Sequence, residues 1–98
     1  DKANALTDAE NRLYNIKKKN IVENANLEAS ISEKLAKAEK LKYTDTLKSI
    51  ELVKSANEDR AKIDENNLKL AKASLDVAQK ASAVAANDEA TELALAQA

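Results

Sequence analysis

The sequence predicts an all-α fold of long amphipathic helices with coiled-coil-like packing, arranged as an antiparallel helical hairpin or a three-helix bundle. Three observations carry this. Glycine and proline are both absent from the 98 residues, and tight turns and sharp helix breaks normally recruit those two. The common residues are Ala, Leu, Lys and Glu, which are good helix formers. Acid-before-base pairs four apart recur at Asp8/Arg12, Glu33/Lys37, Glu58/Lys62, Glu65/Lys69 and Asp76/Lys80, the orientation that supports a helix.

The whole chain, 1–98, reads as one helical domain. The first arm is expected over about 6–42. Thr7-Asp8-Ala9-Glu10 fits a capping box at its start. Leu27, Ile31, Leu35, Ala38 and Leu41 form one stripe at helical spacing, with a weaker alanine stripe at Ala25, Ala29 and Ala36 well round from it. The polar run Lys17 to Asn20 interrupts the spacing of Leu6, Ala9, Leu13 and Ile16. A break there would divide the arm. The turn is placed at about 43–46, where Thr44 or Asp45 can cap the helix that follows.

The second arm is expected over about 46–86. Asn87 is a candidate cap, with Asp88 and Glu89 in the first turn of a short helix over 88–98. Within this arm Ile63, Leu70, Val77 and Val84 make one seam. Leu68, Ala71, Leu75, Ala78, Ser82 and Ala85 make a second, which continues to Leu93 and Ala96 if the helix does. The two seams cover an arc of roughly 200°, whereas a lone surface helix needs little more than about 100°. Glu65, Lys69, Lys72, Asp76 and Lys80 occupy the remaining face. The arm is therefore expected to meet two neighbours. The seam residues Ile63, Leu68, Leu70, Ala71, Leu75, Val77, Ala78, Val84, Ala85 and Leu93 are the candidate partner-binding positions. The neighbours are the first arm and either a second copy, another helical protein, or a third helix from residues 1–19 or 88–98.

Composition excludes several chemistries. There is no His or Cys, which removes Ser-His-Asp, Cys-His and zinc arrangements. The carboxylate pairs Asp64/Glu65 and Asp88/Glu89 fall on polar helical surface with no sign of a pocket. The chain is read as having no catalytic residues, no cofactor and no metal. Sixteen basic and 17 acidic residues give a net charge of −1, too balanced for nucleic-acid binding. No apolar run is long enough to span a membrane. Charge is nevertheless uneven, at +4 over 12–48 and −3 over 49–98. Halves of opposite sign attract, within a chain or between chains packed head to tail. Tyr14 and Tyr43 are the only aromatics. Tyr43 is expected in the turn and Tyr14 at the edge of the first seam.

Three functions are compatible with these features. The first is a structural protein that self-associates, as a homo-oligomer or filament, through Ala/Leu-rich helical seams. The second is a helical-bundle binding module. The Lys-, Asn- and Glu-rich, Cys-free style resembles helical regions of Gram-positive surface adhesins, a likeness of composition that covers no motif. It implies an exported protein at the cell surface. A first residue other than Met leads to the expectation of a processed chain or a piece of a longer one. The third is reversible binding to a lipid surface, weakened by the lack of Trp and Phe.

Overall fold

The computed structural model describes residues 1–97; Ala98 and the side chains of residues 87–92 lie outside the described part. The fold is all-α and hairpin-like. Helix α1 runs Lys2–Leu41 and helix α2 runs Thr46–Gln97, and the two pack against each other. The described residues contain no third helix, so the three-helix alternative does not hold. The polar run at Lys17–Asn20 does not break α1, because Asn20 faces inward and is buried. Nor is there a separate helix over 88–98, since α2 continues through Asn87 to Gln97. The capping expected of the Asn87 side chain lies outside the described residues.

Helix starts are fixed by aspartates. Asp1 accepts from the Asn4 amide at 2.8 Å through Oδ1 and from the Ala5 amide at 3.0 Å through its carbonyl. An N-cap satisfies first-turn amides in this way. Thr7 is therefore not the cap that its sequence context suggests. It lies inside α1, and its hydroxyl donates back to the Ala3 carbonyl at 3.1 Å. Asp45 caps α2, accepting from the Lys48 amide at 3.1 Å. The turn between the helices is Lys42 to Asp45. Tyr43 projects from it, with the Lys42 ammonium 5.5 Å from the ring centroid.

Contacts group into two units, one formed by 1–17 with 69–98 and the other by 18–68. The unit over 18–68 holds the turn. Its buried positions are Asn20 and Ile31 with Ala38 on α1, and Ser49, Ala56 and Asn66 on α2. On α2 the inward positions Ser49, Leu52, Ala56, Asp59, Ile63 and Asn66 alternate three and four apart. That spacing is the helix–helix seam of coiled-coil packing. Three of them are polar, and Ala56 is 0% exposed. Small residues at the closest approach let two helix axes come within about 8 Å.

In the unit formed by 1–17 and 69–98, Ala9 is buried on α1, with Leu6, Leu13 and Ile16 half-buried. Leu70, Ala73, Val77, Lys80 and Val84 are the half-buried partners on α2, again three and four apart. Asp76 was expected on the polar face with Lys80. Instead, Asp76 borders the seam, reaching Arg12 of α1 at 3.4 Å while Lys80 donates to the same oxygen at 3.0 Å. Of the other expected pairs four apart, Glu33–Lys37 forms at 3.1 Å, whereas Lys62 pairs with Glu65 at 3.6 Å.

Candidate functional site

Two features of this fold are candidates for function. One is the polar part of the inner seam, the other the apolar stripe left on the outside of α2.

The polar seam lies in the unit over 18–68 and begins with asparagines. The Asn20 side-chain amide donates to the Asn66 carbonyl at 2.8 Å. Asn66 donates in turn to Asn24 Oδ1 at 3.0 Å, and Asn24 donates to Asn67 Oδ1 at 3.2 Å. Nearer the turn, Ser30 and Lys34 both donate to Asp59 Oδ2 at 2.8 Å. Ser49 donates to the Ala38 carbonyl at 2.7 Å. Among the described residues no buried side-chain nitrogen or oxygen lacks a partner. A satisfied polar network in a low-dielectric seam is directional, whereas apolar contacts can slide. It therefore selects one register of α1 against α2, as a buried asparagine does in a coiled coil.

Lys34 and Asp59 are the most enclosed ion pair among the described residues, with side chains 27% and 18% exposed. The Lys34 ammonium and the Ser30 hydroxyl, both bonded to Asp59, hold its carboxyl below the ordinary value of 3.8. A lowered folded pKa gives stability that is present above the unfolded value and lost as pH falls through the folded one. Acidification below about pH 4 should thus lower the melting temperature of the wild-type chain more steeply than that of Asp59→Asn. Thermal melts followed by circular dichroism across this range test it, and parallel slopes would refute it.

The seam near Asn66 was not legible as such. Asp64 to Asn67 reads as a polar helical turn, and only the three-and-four spacing of Ile63, Asn66, Leu70 and Ala73 marks Asn66 as inward. Asn20 was concealed in the same way by the lysines before it.

The outer stripe concerns the ten predicted partner-binding residues, which the structure divides. Ile63, Leu70, Val77 and Val84 are half-buried on the inner side of α2. The second set stays in solvent. Leu68 is 54%, Leu75 57% and Leu93 60% exposed, and Ala71, Ala78 and Ala85 are also exposed. Leu68 and Leu75, left this open while Leu70 and Val77 beside them are half-buried, form an apolar stripe that α1 does not reach, whereas around Leu93 the described residues 93–97 are all exposed. Tyr14 is exposed on α1. Shallow grooves flank the seam. One of about 330 Å³ is lined by Ala9, Arg12, Ile16, Lys72, Ala73 and Asp76 among others. Among the described residues no group of acidic side chains clusters as a metal site would require. No helix there is long and apolar enough to cross a membrane.

No protein-family model, curated protein or solved structure matches this chain.

Proposed function

We propose that this chain is a non-catalytic structural protein that self-associates through the uncovered Ala/Leu stripe of α2. One observation carries the reading: Leu68 and Leu75 remain more than half exposed, with exposed Ala71, Ala78, Ser82 and Ala85 continuing the stripe at spacings of three and four. Such spacing suits a second helix, because alanines admit a close axis and leucines supply the knobs. Between Leu68 and Ala85 few charges stand beside the stripe, and exposed Asp64 lies on the same face one turn before Leu68. Asn67, Ser74, Gln79 and Ala81 border it with Lys72, so a like surface can approach without strong repulsion. The composition that resembles Gram-positive surface adhesins supports an exported, cell-surface setting for this assembly.

Sedimentation velocity over a wide concentration range tests the proposal. The wild-type mass should rise above the 10.6 kDa of one chain as concentration increases. Leu75→Asp should hold at 10.6 kDa with its helicity unchanged, because Leu75 does not contribute to the inner seam. A wild-type chain that stays monomeric at the highest concentration would rule the proposal out.

A further inference from the structure

The turn itself carries the next inference. A helical hairpin normally closes with a residue in the left-handed region, most often glycine. Here no described residue has positive φ, and Lys42, Tyr43, Thr44 and Asp45 include no glycine or proline. All four can become helical without steric penalty. The turn is also partly helical in its bonding, since the Asp45 amide donates to the Leu41 carbonyl, four residues back, at 2.8 Å.

The seam continues in phase through the turn. Ala38 and Ser49 are 11 residues apart, which on an uninterrupted helix is about 20° beyond three full turns. Leu41 and Asp45 fall between them on the same face. The inward positions of α1 and of α2 would thus form one stripe if residues 42–45 were helical. Cross-helix bonds, moreover, join residues about equally far from Thr44: Ala38 with Ser49, Ser30 with Asp59, Asn20 with Asn66. An opened chain laid antiparallel on a second opened chain, with the two-fold axis near Thr44, presents the same partners to every one of these groups.

We infer that the hairpin opens at Lys42–Asp45 into a continuous helix and exchanges α2 with a second copy. The product is a swapped dimer held by the polar seam now satisfied between chains. Exchange of an identical element reuses the monomer's own contacts, so its equilibrium is set mainly by the hinge. The hinge opposes opening through the Asp45 cap, which is lost in a continuous helix. This association does not use the outer stripe of α2. Opening must break the seam, so the swapped dimer forms on refolding at high protein concentration and persists on dilution.

The test uses the full chain carrying Leu75→Asp, which removes the stripe from the comparison. The chain has no native cysteine, so Ser32→Cys and Glu58→Cys accept spin labels at exposed sites. Doubly labelled chains are refolded from denaturant with an excess of unlabelled chains, and the dimer fraction is isolated. In the hairpin the two labels sit level on packed helices, beside the bonds from Ser30 and Lys34 to Asp59, and are therefore a short distance apart. In the swapped dimer they lie along one helix, about 40 Å apart. Asp45→Ala should raise the dimerisation constant about tenfold or more by removing the cap. Tyr43→Gly with Thr44→Gly should lower it about a hundredfold by disfavouring helix at the hinge. Refolding only to monomer, a dimer with only the short distance, or a constant unmoved by both hinge variants would overturn exchange. Each of those results leaves the stripe proposal standing, since that rests on the wild-type mass without refolding.

Discussion

Ala56→Leu should lower the stability of the hairpin by about 1–3 kcal/mol, the usual cost of forcing extra methylenes into a packed interior. Ala56 is the most enclosed described residue, at 0% exposure, on the side of α2 that faces α1. A leucine there cannot be accommodated by rotation, because the helix backbones approach closely around it. It must push α1 and α2 apart, which also lengthens the bonds from Ser49 to Ala38 and from Ser30 to Asp59. Ala61, exposed on the same helix, supplies the control, and Ala61→Leu should change stability by less than about 0.5 kcal/mol. Urea denaturation of both variants, followed by helicity, measures the difference. Equal midpoints would mean that the seam has slack at Ala56 and that close approach is not what its alanines provide.

The asparagines give the second large effect, and its sign depends on how many are changed. Asn66→Ala should cost about 1–3 kcal/mol, because it leaves Asn24 Oδ1 without its donor inside the seam. Replacing all three, Asn20→Leu, Asn24→Leu and Asn66→Leu, removes both side-chain partners of the Asn66–Asn24 bond and adds apolar contact, so stability should hold or rise. What should be lost is uniqueness. Without the Asn20–Asn66 bond, the stretch of α1 in this unit can shift along α2 with little change in energy. Amide NMR spectra of the triple variant should show more than one set of resonances for residues 18–68, where the wild type should show one. A single set would place register selection elsewhere, at Ser49 or at the Lys34–Asp59 pair.

These two effects clarify what could be read early. The helices were legible because their causes are local. A chain without glycine or proline has few ways to stop a helix, and the runs around Ile31 and Leu70 carry their period openly. The turn was also local. Asp45 can cap, and the α2 seam starts just beyond it. Thr7 misled because a capping box is a short pattern, and Asp1, six residues earlier, already supplies the first-turn acceptors. Lys17 to Asn20 misled for a different reason. The three lysines are indeed exposed, but the asparagine after them turns inward to meet Asn66. Polarity alone does not distinguish a solvated asparagine from one bonded across a seam.

The outer stripe was only half legible. Ile63, Leu70, Val77 and Val84 are indistinguishable in kind from Leu68, Leu75 and Leu93, since both sets are apolar and both repeat at helical spacing. Sequence by itself determined that α2 carries two apolar faces and that the chain is helical almost throughout. Tertiary structure alone decided which face α1 covers, which face remains exposed, and that Asn20, Asn66 and Asp59 belong to the interior. The physical reason is the range of the interactions. Helix propensity and period act between residues a turn apart, while the choice of face is made by side chains far apart in sequence, where one hydrogen bond from Asn20 to Asn66 can favour one pairing over its neighbours.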